Sequence, residues 1–141
     1  MIPSAQEVIE DFTLVPDSEK LQLLLEYSEA LPELDPRFSD HPELMERVEE
    51  CQSPVFIAVE GTSAKIELFF SAPRESPTTR GFASVLNNAL NGQSAQDILD
   101  LPDDFPSDLG LDALISPLRV RGMRGMLGRI KRKTRELVAQ S

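Results

Sequence analysis

A chain of 141 residues with 40% apolar side chains can bury a core and is too apolar for wholesale disorder, so we expect one domain over 1–141. Its N-terminus lacks a signal-peptide pattern, and no stretch approaches the ~20 apolar residues that span a bilayer, which predicts a cytoplasmic protein with no membrane partner. The net charge is −10, but residues 119–141 carry +7 and residues 1–118 carry −17. This profile is not typical of nucleic-acid binding, and it favours docking to a protein or plain solvation of a helix face.

The N-terminal third is predicted to form two helices followed by a loop. Residues 4–7, Ser-Ala-Gln-Glu, make a capping-box pattern that predicts the start of the first helix. Pro16 and Asp17 end that helix and begin a second, whose mostly apolar positions 21, 24, 25, 28 and 31 follow helical spacing. A proline-rich passage follows, and it contains the only histidine, His41, which we expect on the surface.

The middle of the chain is predicted to form a β-hairpin and then a helix. The two strands are the β-rich runs 55–59 and 65–70. After a break in the sheet, Thr78 or Thr79 caps a helix, and Gly92 ends it.

The C-terminal third is predicted to be helical. Ser94 caps a short helix, residues 103–109 form one or two turns, and Ser116 caps a long helix that has Pro117 at its first position. The long helix carries a mostly apolar stripe spaced by three and four, whose members are Val120, Met123, Leu127, Ile130, Thr134 and Leu137. Glycines at positions 122, 125 and 128 permit the close approach of another backbone. The whole order of elements predicts an α+β fold: two helices, a hairpin or small meander, then three or four helices.

Cys51 is the only cysteine and the only soft nucleophile of the chain. A single cysteine excludes an internal disulfide, a CxxC redox pair and a thiolate metal cage, and one cysteine with one histidine cannot make a typical zinc site. The acidic pairs at 49–50 and 103–104 are typical of solvated faces rather than of paired catalytic carboxylates. No phosphate-binding loop and no serine-hydrolase motif occurs in the sequence.

The residues alone favour an inert core thiol as the interpretation of Cys51. Glu49 and Glu50 raise the pKa of Cys51 if their side chains lie close, and this opposes spontaneous reactivity. Activation then has to come from distant cations, such as Arg80 or Arg119, or from a partner's site. A thiol that is quiet alone and activated on docking suits a carrier of reactive sulfur.

Four segments resemble the SufE family, the sulfur-acceptor proteins of iron–sulfur cluster assembly. They are Val48-Glu-Glu-Cys-Gln-Ser-Pro-Val, Pro77-Thr-Thr-Arg-Gly-Phe, Gly92-Gln-Ser-Ala-Gln-Asp-Ile-Leu, and residues 111–130 with Ser116-Pro-Leu-Arg. The resemblance is collinear over roughly residues 8–138, and four such motifs around a lone cysteine are specific.

The resemblance implies a fold and a role. The fold is α+β, with a small antiparallel sheet packed by helices, related to the IscU-type scaffold fold. The role is to take persulfide sulfur from a SufS-like cysteine desulfurase, which the protein stimulates, and to pass it to a SufBCD-type scaffold. Pyridoxal phosphate (PLP) belongs to the desulfurase, so the resemblance implies no cofactor here and a carrier rather than an independent enzyme.

The resemblance also assigns site residues. Cys51 matches the acceptor cysteine, on a loop between the helical N-terminal part and the first strand. Gln52 and Ser53 match the two residues that follow the acceptor cysteine. Arg80 and Arg119 match recurrent family arginines, and we expect them near Cys51 as partner-binding or thiol-supporting residues.

Two positions depart from the family pattern. Glu50 stands where glycine often precedes the acceptor cysteine, and Pro54 stands where a polar residue is frequent. Both restrict the loop, because glycine alone has free access to positive φ and proline fixes its own φ. Three alternatives remain open: loading of Cys51 by a rhodanese-type sulfurtransferase, a desulfurase-binding adaptor in which Cys51 is dispensable, and a peroxide-scavenging thiol, which the acidic flank opposes.

Overall fold

The computed structural model describes residues 2–140, and in this range a three-stranded sheet packs with seven α-helices. The helices are α1 (Pro3–Leu14), α2 (Asp17–Ala30), α3 (Pro36–Ser39), α4 (Pro77–Leu90), α5 (Ala95–Asp100), α6 (Phe105–Asp108) and α7 (Pro117–Ala139). The strands are β1 (Glu46–Arg47), β2 (Phe56–Gly61) and β3 (Ile66–Ser71), and a 3-10 turn at Pro42–Leu44 precedes β1. The predicted α+β class is confirmed.

The sheet is antiparallel with the strand order β1-β2-β3. The predicted hairpin is confirmed as β2 and β3, which pair from Phe56 opposite Ser71 to Gly61 opposite Ile66. Strand β1 was not predicted, and it pairs with the start of β2 through Glu46 and Arg47. Two residues are too few to show the period of two that identifies a strand in sequence.

Helix α4 lies at the centre of the core. It packs against α1, α2, α7 and β3, and most of its residues are buried. The largest fully buried aromatic side chains come from four different parts of the chain: Phe12, Phe38, Phe82 and Phe105. Burial of side chains from distant segments holds the N-terminal helices, the sheet and the C-terminal helices together.

Two of the predicted helix caps are confirmed. The Ser94 hydroxyl accepts a hydrogen bond from the Asp97 backbone N–H at 3.1 Å, and the Ser116 hydroxyl accepts one from the Arg119 N–H at 3.3 Å. Gly92 has a φ of +83° and follows Asn91, the C-cap of α4, as a glycine stop requires.

Other predicted details are wrong. Ser4 does not cap α1, because the helix begins at Pro3 and the Ser4 hydroxyl donates to the Ala89 carbonyl, 2.6 Å away at the end of α4. Helix α4 begins at Pro77, before either predicted threonine cap. The helix predicted from residue 17 onward is confirmed as α2; on it Leu21 is 46% exposed, whereas Lys20 is buried and donates to the Val15 carbonyl.

Helix α7 packs on β2, α4, α5 and α6 through the predicted stripe. Five residues of the stripe are buried and Leu137 is partly buried. Much of the positive charge of α7 is neutralised by ion pairs with acidic residues elsewhere in the chain, as in the Arg124–Asp104 and Lys131–Asp103 pairs. None of the helices within residues 2–140 is long and apolar enough to cross a membrane.

Candidate functional site

Cys51 lies on the loop that joins β1 to β2. The base of the loop is closed by a hydrogen bond from the Val48 N–H to the Val55 carbonyl, 2.8 Å long. Within the loop, the Cys51 N–H donates to the Val48 carbonyl at 3.1 Å. The thiol therefore lies on a hairpin loop, with the short strand β1 between it and the N-terminal helices.

The loop contacts α7 where that helix has glycines. The Cys51 thiol donates to the Gly122 carbonyl oxygen, with 3.6 Å between sulfur and oxygen. A Cβ atom on Gly122 would lie 3.2 Å from Sγ, and one on Gly125 would lie 2.6 Å from Cβ of Glu50. The close backbone approach predicted from the glycines occurs at Gly122, which faces the Glu50 carbonyl oxygen and the Cys51 Cα, whereas Gly125 faces the Glu50 side chain. It does not occur at Gly128, where a Cβ atom would meet nothing within 4 Å.

A small cavity of about 50 Å³ adjoins the thiol. Its lining residues come from the Cys51 loop, the start of α4 and the start of α7: Cys51, Gln52, Ser53, Ser76, Thr79, Leu118, Arg119 and Gly122. The hydroxyl oxygens of Ser53 and Ser76 are 2.6 Å apart, so a hydrogen bond ties the loop to the residue before α4. A cavity of this size has room for only a few water-sized groups.

The resting thiol is protonated at neutral pH. Burial and the negative charge of Glu50 raise the pKa of Cys51 to about 11, and the positive charge of Arg129 opposes this shift only in part. Cys51 is 8% exposed. Since the thiolate is the nucleophile, the isolated protein holds its cysteine in an unreactive form.

Next to the thiol, a cluster of ion pairs joins the loop and β1 to α7. Glu50 accepts a hydrogen bond from Arg129 Nε at 2.6 Å, and Arg129 Nη1 donates to Glu46 at 3.0 Å. Arg132 also donates to Glu46, and Lys133 lies 3.6 Å from the same carboxylate. The hydrogen bond from Arg129 lowers the pKa of Glu50. Burial raises the pKa of Glu46, but hydrogen bonds from Arg132 and Arg129 outweigh it and lower that pKa.

Three of the four residues predicted to support Cys51 lie at its cavity. Gln52 and Ser53 follow it on the loop, and Arg119 comes from the first turn of α7. The exposed Arg119 side chain makes no hydrogen bond or ion pair with any residue that the structure describes.

Arg80 lies apart from the cavity. It is buried, and its guanidinium donates to the Ser28 carbonyl at 2.9 Å and to the Ala72 carbonyl at 2.6 Å. These bonds tie the end of α2 and the segment after β3 to α4. The position of Arg80 indicates a role in holding these elements together.

The sequence interpretation missed Ser76, Thr79 and Arg129. The glycines of α7 indicated that another segment approaches this helix closely, but the sequence around them does not identify that segment. Arg129 and Glu50 are 79 residues apart, so no spacing rule connects them. Among residues 2–140, no group of three or more His, Cys, Asp or Glu side chains could hold a metal ion.

Comparison with known proteins gives consistent matches. The family model described as "SufE: Fe-S metabolism associated domain" matches residues 6–134. An uncharacterized SufE-like protein of Mycobacterium tuberculosis is 53% identical over 131 residues, which is 92% of this chain and 90% of that protein. The chloroplastic/mitochondrial SufE-like protein 1 of Arabidopsis thaliana is 29% identical over 136 residues, 96% of this chain and 36% of that protein. The solution structure of a hypothetical protein from Thermus thermophilus has a TM-score of 0.85 and 33% identity, with 100% of both chains covered.

Proposed function

The chain belongs to the SufE family, and from that membership we propose that Cys51 accepts persulfide sulfur from a cysteine desulfurase and passes it to an iron–sulfur cluster assembly scaffold. The family supports a role in sulfur transfer for Fe–S metabolism, with a cysteine desulfurase as partner. One observation carries the assignment to Cys51: the lone cysteine lies on a hairpin loop beside a small cavity with hydroxyl groups in its lining. A purely structural core thiol needs neither the loop nor the cavity.

The transfer step is a thiol–persulfide exchange. The Cys51 thiolate attacks the terminal sulfur of the donor persulfide, a new S–S bond forms at Cys51, and the S–S bond of the donor breaks. The donor cysteine leaves as a thiolate and takes up the proton that Cys51 gave up. No net oxidation occurs, because one persulfide is exchanged for another. An acceptor on the scaffold removes the sulfur by the same exchange.

Because the pKa of Cys51 is raised and its side chain is buried, sulfur transfer requires the desulfurase to expose and activate the thiol. In isolation the thiolate is scarce and Cys51 is only 8% exposed, so a free donor persulfide reacts slowly. Docking of the desulfurase exposes the thiol and supplies positive charge or a base that favours the thiolate. PLP stays on the desulfurase, and this protein acts as a carrier in the relay.

The cavity next to Cys51 suits the loaded state. A terminal sulfur on Sγ is comparable in size to a water molecule, and the cavity accepts groups of that size. The Thr79 hydroxyl, and whichever of the Ser53 and Ser76 hydroxyls accepts their mutual hydrogen bond, are donors that stabilise an anionic terminal sulfur. In this position the persulfide is shielded from reductants and oxidants until an acceptor docks.

Intact-protein mass spectrometry tests the proposal. The protein is incubated with a cysteine desulfurase, PLP and free cysteine, with Cys51→Ser in parallel. Because the chain has one cysteine, any reducible sulfur on it can be assigned without digestion. We expect the wild type to gain one or more sulfur atoms, which a reductant removes, and the variant to gain none.

A parallel incubation with a rhodanese and thiosulfate, together with the rate of desulfurase turnover, separates the alternatives. Loading by a rhodanese and thiosulfate, but not by any desulfurase, keeps the carrier role and changes the donor. If no donor loads Cys51, and Cys51→Ser still stimulates desulfurase turnover, the protein is an adaptor and the carrier proposal fails.

A further inference from the structure

The residue before the acceptor cysteine is anchored to α7. The Glu50 carboxylate meets Arg129 Nε at 2.6 Å, and the stem of Glu50 lies flat on Gly125, where a Cβ atom would come within 2.7 Å of its Cβ, Cγ and Cδ atoms. Glu50 therefore has two independent contacts with α7, one of charge and one of shape. Because Cys51 is the next residue, the contacts of Glu50 with α7 also fix the position of Cys51.

Arg129 joins two parts of the chain that border the loop. Its Nε donates to Glu50 near the tip, and its Nη1 donates to Glu46 on β1 at the base. Lys133 and Arg132 hold the Glu46 carboxylate from the next turn of α7. The guanidinium of Arg129 therefore bridges β1 and the loop on one face of the helix.

We propose that Glu50 and Arg129 are positioning residues that clamp the Cys51 loop shut against α7 and so limit access to the thiol. The release of this clamp by a docking partner rests on the function proposed above, but the clamp itself does not. The Glu50 and Arg129 side chains are 29% and 23% exposed, so a partner's charged group can reach the pair and compete for it. An ion pair of this kind is weak enough to be broken on docking.

Alkylation of Cys51 by iodoacetamide tests the clamp in the full-length protein. The reagent is small and uncharged, and the chain offers it one thiol. The rate of alkylation at about pH 8 reports the product of the thiolate fraction of Cys51 and the accessibility of its sulfur. The variants are Glu50→Gln, Arg129→Gln and Gly125→Ala.

The direction in which Arg129→Gln changes the alkylation rate distinguishes a clamp from an effect of charge alone. Arg129 lowers the pKa of Cys51 and Glu50 raises it, so an effect of charge alone makes Arg129→Gln slower and Glu50→Gln faster. Arg121 also has an electrostatic effect on Glu50, but it is present in every variant, so it does not account for differences in rate between them. A clamp makes both variants faster, and we expect a gain of about three- to tenfold in each. Arg129→Lys retains a charge near Glu50 and should restore part of the slow rate.

Gly125→Ala opens the clamp without changing any charge, because its new Cβ displaces the Glu50 stem. Gly128→Ala is the matched control: it places the same methyl group one turn away, where nothing lies within 4 Å. We expect faster alkylation in Gly125→Ala and the wild-type rate in Gly128→Ala.

General loss of stability is a separate route to faster alkylation. The rate is therefore also measured at low urea concentrations, since opening of a loop exposes little surface and depends weakly on denaturant. Rates that rise as steeply with urea as global unfolding overturn the clamp, as does a slower Arg129→Gln or an unchanged rate in all three variants. The assay contains no desulfurase, so its failure is distinct from failure of sulfur transfer.

Discussion

The sulfur of Cys51 lies directly on the backbone of Gly122. Sγ is 3.6 Å from the Gly122 carbonyl oxygen, and a Cβ atom at residue 122 would be 3.2 Å from that sulfur. A separation of 3.2 Å is tighter than ordinary contacts of a Cβ atom. The absence of a side chain at residue 122 therefore determines how deeply the thiol is buried.

Gly122→Ala should expose the thiol. The new methyl group pushes the Cys51 loop outward by a few tenths of an ångström and weakens the contact between the thiol and the carbonyl. We expect severalfold faster alkylation by iodoacetamide. The higher helix propensity of alanine, about 1 kcal/mol, offsets the cost of displacing the loop, so the melting temperature should change little. A rate equal to that of the wild type would show that the loop absorbs the methyl group without opening.

Gly128→Ala separates helix propensity from contact. Residue 128 is exposed, and a Cβ atom there meets nothing within 4 Å. We expect stabilisation by about 0.5–1 kcal/mol in urea unfolding and no change in alkylation. Acceleration of alkylation equal to that in Gly122→Ala would contradict the contact as its cause.

The pH dependence of alkylation should reflect the raised pKa of Cys51. With that pKa at about 11, the thiolate is scarce at neutral pH, and the alkylation rate should rise about tenfold for each pH unit up to about pH 10. A rate that levels off near pH 9 would mean that the thiol titrates as an ordinary cysteine.

The raised pKa of Cys51 also makes the free energy of unfolding depend on pH. Between the ordinary pKa of 9.0 and the folded value of about 11, the folded state keeps the proton that the unfolded state loses. The contribution of Cys51 to stability is therefore full below pH 9 and is lost as the pH rises to 11. We expect the stability of the wild type relative to Cys51→Ser to fall over this range in urea unfolding. Other groups titrate in both proteins and cancel in the difference.

Arg119→Glu tests whether Arg119 binds the partner or supports the thiol. Arg119 is an exposed residue that lines the Cys51 cavity. If it binds the partner, desulfurase-dependent loading should slow by about tenfold while alkylation without the desulfurase is unchanged. If it supports the thiol, both rates fall. Arg135→Glu is a control, because Arg135 is an exposed arginine near the other end of α7.

Arg80→Met should destabilise the fold. The variant leaves the carbonyl groups of Ser28 and Ala72 without the donors that Arg80 supplies. We expect a loss of about 2–4 kcal/mol in urea unfolding. Alkylation of the folded protein at low temperature should match that of the wild type. A stable variant with altered thiol reactivity would contradict the structural role of Arg80 and indicate that it supports Cys51.

Much of the secondary structure could be predicted because its signals are local. The hairpin, the buried stripe of α7 and the caps at Ser94 and Ser116 all depend on residues a few positions apart. The prediction that Ser4 caps α1 was wrong because a tertiary contact outweighed the local pattern. The Ser4 hydroxyl donates instead to the Ala89 carbonyl at the end of α4.

The sequence by itself determined the class of fold, the resemblance to the SufE family and the one residue proposed to carry sulfur. These follow from periodicity, from motifs and from the presence of a single cysteine. Only the tertiary structure decided that Arg119 reaches the cavity, that Arg80 does not, and that Glu50 is held by Arg129. Cys51 and Gly122 are 71 residues apart, and Glu46 and Arg129 are 83 apart. Contacts over such separations depend on how α7 packs across the sheet, and no local pattern of residues encodes that packing.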